Sequence, residues 1–357
     1  MLQAQARQCE PRSARNDGQL RSDVAVVIVT YRSALLTIEA LRAVAAERAG
    51  SGLSIRAIVV DNASGDTPAI AQGVENNGWS SWVTLVTAPR NGGFAYGNNL
   101  GIGRACAAGS PDYVYLLNPD AQVRPGAIRA LVDFLEKRPD VGIAGSSFEN
   151  RDGSDWPIAF RFPTVLSELD AGLQFGLVTR LLQPWVVARR MTRSAQPVDW
   201  ISGASMLIRA GVLATIGGLD EHYFLYFEET DFCYRARQAG FATWYVPQSR
   251  VMHIGGQSTA ATDAGRRARV PGYWFESRRR YFALRLGLYR AMAVDVVALL
   301  AYALGLVKRV LLGRRHAAAP HFIRDLARHS VLRPRNRVIP AAQTQLPVTT
   351  RGHQPSP

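Results

Sequence analysis

Residues 24–44 read VAVVIVTYRSALLTIEALRAV, and the change of period inside this stretch decides the fold. Residues 24–30 are a continuous, mostly β-branched run, the kind buried on both faces of a parallel sheet. Beyond Thr30-Tyr31-Arg32 the apolar residues Leu35, Ile38, Leu41 and Val44 recur three apart, as on a helix lying against that sheet. The unit repeats outward. Residues 55–60, 83–87 and 113–117 are further apolar runs, 125–137 read as a helix with proline in its first turn, and 141–144 as another strand. Such alternation predicts an α/β fold with a mostly parallel central sheet flanked by helices and right-handed crossovers. Residues 151–198, rich in Arg, Pro and Trp, read as an insertion, and strand patterns return at 200–208 and 241–246.

The chain has 357 residues, 47% hydrophobic and 20% charged, which supports a full core and excludes a disordered chain as a whole. Its net charge of +14 is unevenly placed: residues 261–357 hold 18 Arg/Lys against 4 Asp/Glu, whereas residues 1–260 hold 24 of each. The basic character belongs to a C-terminal extension. Three cysteines without CxxC spacing argue against a disulfide scaffold or zinc ribbon and for a reducing compartment. Residues 1–22 are a polar leader without an apolar core, and from about residue 331 the chain is Pro/Gln/Thr-rich and expected to be disordered.

Function is written at the strand ends. Thr30-Tyr31-Arg32 closes the first run, Asp61-Asn62-Ala63-Ser64 the second, Asn91-Gly92-Gly93-Phe94 follows the third, and Asn118-Pro119-Asp120 closes the fourth. Ligands of open parallel sheets bind in the crevice at the carboxyl ends of the strands. Each cluster alone reads equally well as a turn; their co-occurrence points to one crevice. The glycine-rich run 92–103 does not fit a dinucleotide fingerprint, because it lies well after its strand and Cys106 stands where glycine or alanine is required. The only lysines are Lys137 and Lys308, neither after a glycine, so a Walker loop is absent too. A diphosphate bound without a lysine cradle needs another counter-charge, and a divalent cation held by a carboxylate, best Asp120, supplies one. A second element is the acidic loop 217–235, where Asp220, Glu221, Glu228, Glu229 and Asp231 sit among Tyr223, Phe224, Tyr226 and Phe227. Desolvation and mutual repulsion raise such carboxylates toward the range of a general base, unless Asp231 merely caps a helix through Arg235. His253, before Gly255-Gly256, is either structural or a metal ligand.

The segments VVIVTYRS, VVDNASGDT, NGGFAYGNNLGI, LLNPDA, WISGASMLIR, GGLDEHYFLYFEETDFCYR and HIGGQS, in this order from Val24 to Ser258, resemble the family-two inverting glycosyltransferases of the GT-A fold, and in particular rhamnosyl- and galactofuranosyltransferase-like members. The resemblance implies a glycosyltransferase domain over residues 23–262, a nucleotide-sugar donor and a glycan or lipid-linked acceptor in cell-envelope polysaccharide synthesis. It implies that Thr30, Tyr31, Asp61 and Asn62 contact the donor's base and ribose, and that Asn91, Gly93 and Asn98 line the donor pocket. Asn118-Pro-Asp120 stands where the family's DxD-type motif holds Mg²⁺ or Mn²⁺ on the diphosphate, with His253 a further ligand. Trp200, Ser202, Gly203 and Asp231 fall on the acceptor side. Glu229 occupies the position of the family's catalytic aspartate, and Glu228 is its rival as base. Arg32 stands where asparagine is common, and Asn118 where the first aspartate of DxD is.

Residues 263–330 form a helical basic extension. Within it, 291–307 are apolar except for Asp295, with Lys308, Arg309, Arg314 and Arg315 behind. A spanning helix needs about 20 apolar residues, so this shorter, charged run predicts a helix in the headgroup plane or packed on the catalytic domain. Basic flanks favour an anionic surface, hence a cytoplasmic protein peripheral on the inner membrane. Two other readings stand beside this one: nucleic-acid binding through the arginines, disfavoured because no such motif accompanies them, and a relative that binds nucleotide sugar without transferring it.

Overall fold

The computed structural model describes residues 22–156, 158–253, 268–313 and 319–341. The expected leader, up to residue 21, and residues 342–357 of the expected tail lie outside them, as does most of the HIGGQS segment. The first apolar run is strand β1 (Asp23–Thr30), with Val24 through Ile28 wholly buried. Helix α1 (Ala34–Gly50) turns Thr37, Ala40, Leu41, Val44 and Glu47 inward. Leu35, expected on that stripe, is instead 83% exposed. It lies two residues before Thr37, roughly 200° around the helix axis, and Thr37 is fixed inward by its hydroxyl bond to Thr30 Oγ1 (2.9 Å).

Strands β2 (Ser54–Asp61), β3 (Val83–Thr87) and β4 (Tyr113–Leu117) follow, alternating with α2 (Thr67–Asn76) and α3 (Gly93–Ala107). All of these pairings are parallel, in the order β4-β1-β2-β3. Register aligns Thr30 with Asp61 and Asp61 with Thr87, so the strand tips share one edge. After β5 (Ala121–Val123), helix α4 (Ala127–Glu136) is capped by the buried Glu47, whose carboxylate accepts from Gly126 N (2.6 Å) and Arg129 N (3.0 Å). Strand β6 (Val141–Glu149) extends five residues past its expected end, and β12 (Ala242–His253) seven past its own.

The insertion carries β7 (Asp155–Trp156), β8 (Ile158–Phe160), α5 (Val165–Leu173), α6 (Gly176–Leu181), β9 (Ala188–Arg190) and β10 (Gln196–Val198). Strand β11 (Ser205–Arg209) then runs antiparallel between β4 and β6, joining the two parallel parts of one mixed sheet. Its start lies beside the end of β4: Asn118 N donates to Ala204 O (3.1 Å). Helices α7 (Ala210–Ile216) and α8 (Glu228–Gln238) complete the domain.

The C-terminal extension is α9 (Gly272–Leu286), α10 (Leu288–Leu311) and α11 (Phe322–His329), with Gly287 at φ 79° breaking the first two. Several of its arginines are paired inside the protein. Arg278 pairs with Glu168 (2.7 Å) and Asp295 (2.5 Å), Arg280 with Asp220 (2.6 Å), and Arg285 with Asp231. Residues 331–341, expected to be disordered, pack on this unit: Val331 is buried, and the carbonyls of Pro340 and Ala341 accept from Arg280. Cys233 is buried and free, whereas Cys106 is disulfide-bonded, which the odd cysteine count did not lead one to expect.

Candidate active site

The glycine run explains how the crevice forms. A Cβ on Gly97 would lie 2.5 Å from Val29 Cγ1 and one on Gly101 2.4 Å from Val27 Cγ1, so α3 presses on β1 closer than any side chain allows. That seats the Asn91-Gly92-Gly93 turn against the strand tips. Asn62 Nδ2 donates to Asn91 Oδ1 (3.0 Å) and Gly93 O (3.1 Å), tying the second tip to the third. Gly93 has φ +83°, and a Cβ there would sit 1.9 Å from the carbonyl oxygen of Phe224, which accepts from Phe94 N (2.8 Å). The Asn-Gly-Gly turn and the acidic loop are thus clasped together. Asn99 adds a second clasp, exchanging hydrogen bonds with the main chain of Leu219 (2.8 and 2.9 Å) and donating to Glu221 (2.9 Å).

The resulting cleft has a volume of ≈ 610 Å³. Thr30, Tyr31, Asn62, Asn91 and Gly93 line one part; Asn118, Asp120 and His253 another; Ser202, Gly203, Glu228 and Glu229 a third. An aromatic wall of Phe94, Phe224, Tyr226 and Tyr273 completes it, with the Tyr273 ring 5.3 Å from Phe224 and stacked 6.2 Å from Tyr226. Tyr273 comes from α9, so the extension supplies part of the site. Of these four, Tyr273 escapes a reading of strand ends and acidic loop, because it comes from the helix of the extension. Non-glycine residues with positive φ gather here too: Arg32 (54°), Ala63 (59°), Tyr226 (70°) and Phe227 (69°). Strain of this kind, of order 1–3 kcal/mol per residue, persists where the surrounding structure over-determines it, as at functional sites.

Expected site residues that do not line the cleft have other work. Asp61 accepts from Ser64 and Thr67 through backbone and side chain, shaping the loop after β2. Burial raises its pKa, but these hydrogen bonds outweigh burial and leave Asp61 below the usual carboxylate range. Asn98 donates to Phe94 O (2.9 Å) inside α3. Trp200 stacks on Phe160 at 4.1 Å and donates to Arg161 O (2.9 Å). Asp231, expected at the acceptor, is wholly buried between Arg235 (2.8 Å) and Arg285, with Tyr223 OH 3.3 Å away. Ser277 Oγ donates to Leu225 O (3.1 Å). Through Arg280, Arg285 and Ser277, α9 therefore clamps the acidic loop. Removing one partner of a buried ion pair costs about 3–5 kcal/mol. Arg285→Ala is accordingly expected to destabilise the protein by about 3 kcal/mol in denaturant titration. Unchanged stability with only a weakened acceptor KM would return Asp231 to the acceptor side.

Two carboxylate groups dominate the cleft chemically. Neither oxygen of the buried Asp120 has a hydrogen-bond partner, and Oδ1 lies 3.4 Å from His253 Nε2. A buried carboxylate without donors is costly unless a cation completes it. Among the described residues no group of three or more His, Cys, Asp or Glu assembles. Asp120 and His253 could hold a divalent cation. Glu228 and Glu229 open α8, each with Oε2 buried and unpartnered. Burial, then the charge of Glu229, pushes Glu228 well above the ordinary range. Burial likewise raises Glu229, to about 7, against hydrogen bonds from its own backbone N–H and that of Gly203. Glu228 is buried and Glu229 half-buried, so Glu229 is the more accessible base.

A larger groove of ≈ 770 Å³ lies beside β7, lined by Ser147, Asp155, Arg190, Arg193, Tyr245 and Arg250. It contains no strand-tip cluster, and Arg250 is already paired with Glu149. The strand-tip clusters and the paired glutamates line the smaller cleft.

The family described as "Glycosyltransferase like family 2" matches residues 21–272. An N-acetylglucosaminyl-diphospho-decaprenol L-rhamnosyltransferase of Mycobacterium tuberculosis is 33% identical over 221 residues, covering 59% of this chain and 70% of that one. The dTDP-rhamnosyl transferase RfbF of Shigella flexneri is 24% identical over 67% of this chain and 72% of its own. The mannosyltransferase PcManGT of Pyrobaculum calidifontis, solved with GDP-Man and Mn²⁺, shares the fold at a TM-score of 0.51, with 14% identity over 87% of this chain and 80% of that chain. With a parallel sheet whose tips enclose a carboxylate-lined cleft, and a family match across most of its length, this chain belongs to glycosyltransferase family 2 and is a GT-A glycosyltransferase.

Proposed function

We propose that the protein transfers L-rhamnose from a nucleoside diphosphate, with inversion, to a hydroxyl of a lipid-linked saccharide at the membrane where cell-envelope polysaccharide is built. The observation that supports this most is the meeting, in one cleft, of an unpartnered carboxylate suited to a cation and a carboxylate raised to about 7 suited to a base. The likeness to relatives named as rhamnosyltransferases, one of them for a dTDP donor, supports the sugar and its carrier.

The mechanism assigns each part of the cleft a task. Thr30, Tyr31, Asn62 and Asn91 hold the nucleoside end of the donor. Asp120 and His253 would hold Mg²⁺ or Mn²⁺, which when bound would supply positive charge to offset the negative charge developing on the leaving diphosphate. Glu229 accepts the proton of the acceptor hydroxyl as that oxygen attacks the anomeric carbon. The bond from anomeric carbon to the new oxygen forms as the bond to diphosphate oxygen breaks. Gly203 N–H fixes the Glu229 carboxylate on the side where Ser202 and Gly203 meet the acceptor. The apolar and aromatic wall of Phe94, Phe224, Tyr226 and Tyr273 suits a 6-deoxy sugar, which presents a methyl group where a hexose presents a hydroxyl. A thermal-shift panel of nucleotide sugars with Mn²⁺ tests the reading: dTDP-rhamnose should raise the melting temperature more than UDP- or GDP-hexoses. A larger shift with another donor would assign the enzyme to that sugar.

A further inference from the structure

We propose that the outward face of α10, together with the adjoining segment 175–185, docks on the surface of an anionic lipid bilayer and lies along it. This deepens the proposed function by naming the surface that would bring the cleft to a lipid-linked acceptor, and it rests on that reading only for the acceptor.

The observation is an inverted helix. Every exposed residue from Ala293 to Leu312 is apolar, whereas the charged Asp295 and Arg309 face the protein. Leu300 is 59% exposed, Leu304 61%, Val307 55% and Val310 68%. Phe175, Leu177, Leu181 and Trp185 are exposed as well. They join the same patch, because Lys308 Nζ donates to Leu173 O (2.6 Å) and sits 5.5 Å over the Phe175 ring. An apolar face this continuous is foreign to a water-bathed surface.

Helix α10 has the length and apolarity to cross a bilayer, but it is fastened along its course. Asp295 accepts from Arg278 (2.5 Å), Ser330 Oγ (2.6 Å) and Val331 N (2.9 Å). At Gly305 a Cβ would lie 2.2 Å from Gly172 O, so α10 and α5 touch backbone to backbone. Spanning would strip a buried ion pair from its partners, whereas lying in the interface leaves it intact. The stretch from Val296 to Leu312 then offers an apolar edge about 24 Å long. Exposed Tyr289 and Trp185 are residue types that settle at headgroup level.

Charge decides between a bilayer and a second copy of the chain. Exposed Arg180 and Arg290 flank the patch, Arg314-Arg315 follow α10 in sequence, and residues 261–357 carry a net +14. Two such faces repel each other; an anionic lipid surface attracts one.

The test is co-sedimentation of the full chain with phosphatidylcholine vesicles, alone or with about a third phosphatidylglycerol, for wild type and a Leu300→Glu/Leu304→Glu/Val307→Glu variant. These side chains are exposed, so folding is checked by an unchanged melting curve and unchanged donor binding in the same samples. The wild type is expected on the anionic vesicles, released in part by salt, and the variant should partition at least about 30-fold less. Wild type left in the supernatant, undiminished binding by the variant, or equal binding to neutral vesicles would overturn the proposal. So would a concentration-dependent dimer without lipid that the same substitutions abolish. None of these results bears on transfer itself, which is assayed without vesicles on a short-chain acceptor.

Discussion

Glu229→Gln is expected to lower kcat about 10³-fold while donor affinity stays within about twofold of wild type, because a positioned general base contributes roughly 10²–10⁴-fold and the amide keeps the shape of the carboxyl. The pH profile carries the same information. A carboxyl raised to about 7 is protonated, and useless as a base, below that pH. For wild type kcat/KM should therefore rise about tenfold per pH unit toward pH 7 and level off above it, whereas the residual activity of the variant should lack that rise. Glu228→Gln should be the milder change, since Glu228 is the more deeply buried of the two. Single-turnover rates for both variants decide: a normal rate with Gln at position 229 and a collapsed one with Gln at 228 would move the base by one residue.

Asp120→Asn should separate stability from function. The Asp120 carboxylate is 1% exposed and accepts no hydrogen bond, with His253 Nε2 3.4 Å from Oδ1, so in the ligand-free protein it is a buried acid with little compensation. Neutralising it should raise the stability of the ligand-free protein by about 1–2 kcal/mol, as relief of strain at a functional site does. The same change should weaken Mn²⁺-dependent donor binding by about 100-fold or more, near 2.8 kcal/mol at 1.4 kcal/mol per decade. Calorimetric titration with and without Mn²⁺, beside a denaturant melt, reads both quantities. A destabilised variant that still binds donor in a metal-dependent way would mean that Asp120 is a structural residue.

The sheet was legible because β1 to β4 are uninterrupted apolar runs whose ends coincide with polar turns. Strands β6 and β12 read short for a definite reason. Past Ala144 and Val246 they continue through buried serines, and Ser146 shares its hydroxyl with Ser205 and Ser249 at 2.6 Å each, while Tyr115 OH meets Ser205 at 2.6 Å. Hydroxyls satisfied by one another are as acceptable in a core as apolar groups, but they look like a loop in sequence. Strand-end clusters located Thr30, Tyr31, Asn62, Asn91, Gly93, Asn118 and Asp120 at the cleft. The family resemblance put Asp231 on the acceptor side, whereas the structure buries it against Arg285, which lies 54 residues away in the basic extension. The charge count hid this too: a neutral body and a tail of +14 read as independent, yet α9 arginines pair with acids of the body. Tyr273 was invisible as a site residue on the same account.

In the proposed mechanism one sugar diphosphate bridges Asp120 and Glu229. A crystal of the Glu229→Gln variant soaked with dTDP-rhamnose and Mn²⁺, with data collected at the manganese edge, addresses it directly. An anomalous peak is expected within about 2–2.5 Å of the Asp120 carboxylate, with the sugar between that metal and residue 229. Nucleotide bound elsewhere, for instance in the groove of Arg190, Arg193 and Arg250, with no metal at Asp120, would contradict it.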